Sequence, residues 1–195
     1  MWAEAMEFIE IPDLQGKLYE ATGRLTEAVS HFYHLYMPTS EPAVVKHLAP
    51  NLEMLLVFNF GPPVKFSFGN EKPGSKTIEK TAVIGPLRKM LNYELKPGDD
   101  LIVVNFKLNG FYRLFKVSLS NIHDGDSYDP DVLLGKSCFS DIWLQLAQMT
   151  SINDRLDLLS RYGLEYLIKN DPEGIIYKSC GVVYKKLSID IGEPE

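Results

Sequence analysis

Four histidines, two cysteines and two arginines are the side chains whose types and spacing bear on chemistry. His31 and His34 stand three apart inside the aromatic run His31–Phe32–Tyr33–His34–Leu35–Tyr36, which reads as a strand. Positions three apart on a strand face opposite sides, so the two imidazoles do not converge on a metal. His47 is isolated, and His123 opens an acidic turn that lacks the closing glutamate of a calcium loop. Cys138 and Cys180 form no C-x-x-C and have no basic neighbour or glycine elbow, which makes them small apolar fillers in a reducing compartment. The expectation is therefore no catalytic residue, no metal and no cofactor. Arg88 and Arg113 are more discriminating: on a barrel lining each pairs with an anionic ligand, and on the outside each is a solubilising charge.

The elements around these residues read mostly as sheet. Candidate strands cover 44–48, 54–60, 64–68, 81–84, 90–95 and 101–106, separated by Gly61–Pro62–Pro63, Lys72–Pro73–Gly74–Ser75 and Lys96–Pro97–Gly98–Asp99–Asp100. No strand is followed by a helix-length segment, so βαβ units are excluded and an antiparallel barrel or jelly-roll-like sandwich is favoured. A short helix is expected around 24–30. Beyond 135 the period changes to helical: Trp143, Leu146 and Met149 share a face, and Ile152, Leu156, Leu159 and Tyr166 continue at spacings of three or four. Ser151 or Asn153 caps that second helix.

A small barrel holds one ligand among inward side chains. Phe58, Phe66, Phe68, Tyr93, Phe106 and Tyr112, with Arg88 and Arg113, are the candidate pocket residues. Trp143, Leu146, Ile152, Leu156, Leu159 and Tyr166 are the candidate dimer interface.

Composition narrows the partners. The 195-residue chain carries a formal charge of −6 and is 45% hydrophobic. Residues 1–60 contribute −5, residues 61–135 +1 and residues 136–195 −2, so no basic stripe for phosphate binding exists. No apolar run approaches the roughly 20 residues of a membrane span, and the acidic stretch 1–10 does not read as a signal peptide.

The order of elements resembles the N-terminal sensor and dimerisation domain of AraC-type transcriptional regulators, in the branch common in Bacteroidetes. The likeness runs from Tyr19–Glu20–Ala21 through Asn59 and Val83–Ile84–Gly85–Pro86 to Val104–Asn105–Phe106–Lys107–Leu108–Asn109–Gly110–Phe111–Tyr112–Arg113–Leu114–Phe115, and continues to about residue 170. In such proteins that segment is a strand ending in F-x-P-x-G followed by a short helix containing L-F. Here Leu108 replaces the usual proline, while Gly110 is retained. The metal-binding H-x-H of cupin enzymes is missing.

The resemblance implies an α+β chain: a cupin-like antiparallel barrel over 1–135, a helical dimerisation segment over 136–170, and a connector over 171–195 toward a DNA-binding domain beyond it. It further implies a cytoplasmic homodimer that answers a small-molecule effector and touches DNA only through the absent domain. A stand-alone small-molecule-binding barrel is the alternative.

Overall fold

The structure, a computed structural model, describes residues 16–118, 122–123 and 125–174. Its first strand, β1 (Gly16–Glu20), leads into a 3-10 turn at Gly23–Glu27 and then β2 (Val29–Tyr36). Seven further strands follow: β3 (Val44–Leu48), β4 (Met54–Asn59), β5 (Val64–Phe68), β6 (Lys76–Ile78), β7 (Thr81–Ile84), β8 (Leu91–Leu95) and β9 (Asp100–Phe106). The short helix α1 (Gly110–Phe115) precedes β10 (Ser127–Tyr128), and α2 (Pro130–Leu134), α3 (Cys138–Ala147) and α4 (Ile152–Asn170) complete the described chain.

The strands form two antiparallel sheets, ordered β1-β2-β9-β4-β7-β10 and β3-β8-β5-β6. Connections at 37–43, 49–53, 60–63, 79–80, 85–90 and 96–99 cross from one sheet to the other. The three shortest, 60–63, 79–80 and 96–99, keep β5 opposite β4, β6 opposite β7 and β8 opposite β9, and the two sheet orders then leave β3 opposite β2. This is the cupin-like barrel of an α+β chain. Asn59 organises one rim: its side-chain N–H groups donate to the carbonyls of Pro62 (2.8 Å), Ile78 and Glu79 (both 3.1 Å), and its Oδ1 accepts from Gly61 N–H at 3.1 Å.

Alternation along β4 divides the interior. Leu55 and Val57 point between the sheets, whereas Met54, Leu56 and Phe58 point to the helical side, so the strand is buried on both faces. On the helical side, Phe106, Phe111, Phe115, Phe139, Tyr162 and Tyr166 form a chain of rings with neighbouring centroids 4.9–6.0 Å apart. Edge-on and tilted pairs of this kind each add ~0.5–1.5 kcal/mol beyond area burial. They are what seats α4 on the large sheet.

Three polar ties fix the helices. Ser151, not Asn153, caps α4, its Oγ accepting from Asp154 N–H at 3.4 Å. Arg155 donates Nε–H to the carbonyls of Leu146 and Met149, both at 3.0 Å, satisfying the open end of α3. Its Nη1 reaches Asp100 Oδ2 on β9 at 2.8 Å, and its guanidinium lies 4.1 Å from the Phe60 ring.

The six side chains taken as a dimer interface are turned inward. Leu146 is fully buried, Leu156 and Leu159 sit in the helix–sheet core, and Ile152 and Tyr166 pack against it. Trp143 donates Nε1–H to the Asn59 carbonyl at 2.7 Å and stacks on Phe60. Helical periodicity located a buried face correctly, but the barrel itself buries it. Within the expected connector, 175–195 lies outside the described residues, as do Cys180 and Asp124.

Candidate ligand-binding site

A cavity of about 360 Å³ lies between the two sheets. Its wall is built unevenly. Strands β4, β5, β6 and β7 contribute only apolar side chains: Leu55 and Val57, Val64 and Phe66, Ile78, and Ile84. Polar side chains come from β2, β9, β3 and β8, as His31 and Tyr33, Asn105, Lys46 and His47, and Tyr93. Given the facing pairs set by the crossings, the polar side chains gather where β2 and β9 lie over β3 and β8, among Leu35, Leu48, Leu91, Leu101 and Val103, and the wholly apolar part is β4 and β7 over β5 and β6. Leu18 on β1, about half exposed, borders the part with the polar side chains at the rim.

Register explains the grouping. His31 lies directly opposite Asn105, and Tyr33 opposite Val103 on one side and Leu18 on the other. Lys46 lies opposite Tyr93, which in turn lies opposite Phe66. Cross-strand neighbours of this kind stand ~4.5–5.5 Å apart at Cβ, near enough to contact a common ligand. Alternation along β2 puts His31 on the cavity face with Tyr33 and Leu35, and the register irregularity between Val29 and His31 turns Val29 into the helical-side core instead.

His31 is held by its own strand, with Nδ1 3.0 Å from Ser30 Oγ. Burial lowers its pKa below the ordinary value, and the Glu53 carboxylate offsets part of that effect. The imidazole is therefore neutral at pH 7 and exchanges hydrogen bonds without a net charge. His47 borders the cavity from an outward position, its Nδ1 2.6 Å from Asn92 Oδ1 on the outer face of the smaller sheet.

Of the pocket residues chosen from sequence, Phe66 and Tyr93 line the cavity. The others do not. Phe58 and Phe106 face the helical core, because a strand buried on both faces carries large apolar residues on each. Phe68 meets Phe66 edge-on at 5.8 Å toward the end of β5, with Lys76 Nζ 5.7 Å from its ring. Arg88 is exposed on the loop after β7, and Tyr112 is exposed on α1 under Lys116.

Arg113 is fully buried, but under the end of α4. It donates to Asp171 Oδ2 at 2.7 Å, to the Glu27 carbonyl at 2.8 Å and to Glu27 Oε2 at 2.7 Å. It is a clamp between barrel and helix, not a ligand group. The sequence reading missed His31, Tyr33, Lys46 and Asn105. The aromatic–histidine alternation in β2 carried the signal for the first two, once His34 is set on the opposite face by its 2.9 Å bond to Asp100.

Among the described residues no group of three or more His, Cys, Asp or Glu is placed to hold a metal ion. None of the described helices is long and apolar enough to cross a membrane.

Solved structures similar to the chain include an uncharacterized conserved protein with a double-stranded beta-helix domain from Klebsiella pneumoniae subsp. pneumoniae MGH 78578. It is 10% identical with a TM-score of 0.33, over 54% of this chain and 90% of that one. FeII HppE is 14% identical with a TM-score of 0.30, over 53% and 62%. Oxalate oxidase in complex with the substrate analogue glycolate is 16% identical with a TM-score of 0.33, over 78% and 74%. No curated protein matches the sequence significantly. Residues 17–127, which hold all ten barrel strands except the first residue of β1 and the last of β10, match the family described as a domain of unknown function (DUF6597), and the chain belongs to that family.

Proposed function

We propose that the cavity is a receptor site for a small organic molecule, and that the chain is the effector-sensing domain of a cytoplasmic AraC-type regulator. The carrying observation is the cavity itself: about 360 Å³ between the sheets of a small barrel, mostly apolar, with its few polar side chains all on β2, β9, β3 and β8. Ligand pockets are built this way, with apolar walls for affinity and a few polar groups for orientation. In this reading the site binds and does not catalyse.

Strand β4 supports the sensing half of the reading. Leu55 and Val57 face the cavity while Leu56 and Phe58 face the core that seats α4. A ligand that displaces β4 thereby acts on both. DNA contact and dimerisation in this account belong to the whole regulator, and the helix–barrel unit relays the ligand state. A stand-alone binding barrel uses the same cavity without the relay.

Native mass spectrometry after exposure to a total small-molecule extract tests the binding. The account expects a mass adduct on the wild-type chain that disappears in Val57→Phe/Val103→Phe, two cross-strand neighbours on the cavity wall. An empty wild-type chain would contradict it. Footprinting of the full gene product on its own promoter tests the regulator reading, and no footprint would leave the stand-alone barrel.

A further inference from the structure

One buried carboxyl group belongs neither to the cavity nor to the ties that hold the helices. Asp99 ends the turn between β8 and β9 and is 1% exposed. Its Oδ2 accepts from Lys96 N–H at 2.6 Å, whereas Oδ1, also buried, has no hydrogen-bond partner among the described residues. We propose that the turn 96–99 is a proton-operated latch at one end of the barrel, closed while Asp99 is the neutral acid and loosened when its proton leaves. The proposal does not depend on what the cavity binds.

Position makes the turn a latch. The Asp99 carbonyl accepts from Met37 N–H at 2.8 Å, and Gly98 donates to the Met37 carbonyl at 2.9 Å, which ties the turn to the connection 37–43. The connection 60–63 lies hard against the same turn. A Cβ on Gly61 would stand 2.7 Å from the Gly98 carbonyl oxygen and 2.9 Å from Asp99 Cα. Three connections between the sheets thus meet at one carboxyl group. The next residue, Asp100, accepts from Phe60 N–H at 2.8 Å and holds Arg155, which caps the end of α3. Leu35 and Leu101, two residues from Met37 and Asp99, line the cavity. Loosening the turn therefore reaches both the cavity end and the α3–α4 junction.

Burial disfavours the ionised form, because a carboxylate with one oxygen unpaired loses more solvation than the neutral acid does. The surrounding charges do not offset that loss. The connection 60–63 brings no titratable side chain, and 37–43 brings only the exposed Glu41. On β9 the Asp100 carboxylate is turned to His34 and Arg155. The Lys96 N–H and ammonium favour the charged form of Asp99, and the Glu94 carboxylate opposes it. That ammonium is itself 3.2 Å from Glu94. Burial outweighs these effects and holds the Asp99 pKa above the ordinary 3.8. A carboxyl group shifted this way stabilises the fold fully below 3.8 and loses that contribution as the pH rises through the raised value. The sign is opposite to that of Asp100, one residue on.

Amide exchange of the full chain, read by NMR at pH 4 and pH 7 and corrected for intrinsic rates, tests the latch. Protection of the Met37 and Gly98 amides is expected to fall about threefold or more at pH 7, while Leu56 and Val57 on β4 stay level. Asp99→Asn keeps the shape of the side chain and carries no charge. In that variant both amides are expected to hold their pH 4 protection at pH 7. Equal protection at the two pH values in the wild-type chain, or a fall that survives Asp99→Asn, would overturn the proposal. Carbon-13 titration of the Asp99 carboxyl in the wild-type chain needs no variant. A midpoint above 3.8 is expected, and one at or below 3.8 would overturn the latch.

Discussion

Arg113 on α1 and Asp171 just beyond α4 are joined by a 2.7 Å Nε–H···Oδ2 bond, with the arginine fully buried and the aspartate 3% exposed. A second arginine, Arg24, donates to the Asp171 carbonyl, and Glu27 closes the group from the 3-10 turn. Three segments far apart in sequence therefore meet on one guanidinium at the point where the chain leaves α4. Removing one member of a buried ion pair leaves the other uncompensated, at a cost of about 3–5 kcal/mol. Arg113→Met is expected to lose that much in urea unfolding. A loss below about 1 kcal/mol would mean that the pair is not a clamp.

Gly110 makes a second sharp prediction. A Cβ there would stand 1.8 Å from the Ala28 carbonyl oxygen, because α1 begins where β2 enters the sheet. The glycine is required by this close approach and not by a left-handed turn. Gly110→Ala is expected to cost about 3 kcal/mol, a Tm decrease of roughly 6–12 °C for a chain of this size. An unchanged melting temperature would show that α1 does not sit so close.

The helices carry a test of what buries them. Leu159→Asp puts a charge into the core and is expected to cost about 3 kcal/mol or more in denaturant unfolding. Leu144→Asp, at a site that is 52% exposed, is expected to stay within about 0.5 kcal/mol. If sedimentation showed Leu159→Asp folded and merely dissociated, the face would be a subunit seam after all.

Stability should also depend on pH through two groups with opposite chemistry. His31 has a folded pKa below the ordinary 6.5, chiefly through burial. Between that lowered value and 6.5 the unfolded chain binds more protons, so the stability tied to a neutral His31 is complete above pH 6.5 and falls as the pH drops. Burial alone would raise the Asp100 pKa, but hydrogen bonds from His34 and Arg155 outweigh it and hold the pKa below the ordinary 3.8. Its contribution is present above 3.8 and is lost as the pH falls through the folded value. Urea midpoints across pH 3–8 are expected to lose the upper slope in His31→Gln and the lower one in Asp100→Asn. Unchanged slopes in both would contradict these assignments.

How much of this was legible in the sequence follows from which physical signals are local. Turn glycines and prolines marked the crossings, and period-2 and period-3.6 patterns placed β3, β5, β7, α3 and α4 within a few residues. Strands β1, β6 and β10 escaped because they are short edge strands with mixed polarity, held by pairing rather than by pattern. The cavity residues were harder. Phe58 and Val57 are adjacent and equally buried, and composition does not say which face of β4 looks into the barrel. Arg113 looked like an anion ligand because its partners, Glu27 and Asp171, lie 86 and 58 residues away in sequence. His31 was passed over as one of a non-converging pair, which was true of metal but irrelevant to a cavity.

The central claim is that the space between the sheets takes a ligand, and methyl NMR of the chain titrated with the total small-molecule extract tests it most directly. The account predicts shifts for Leu35, Val57, Leu101 and Val103, which line the cavity, with Leu56, Val104 and Leu159 in the helical core moving far less. Unmoved cavity methyls, or shifts centred on the helical core, would contradict it.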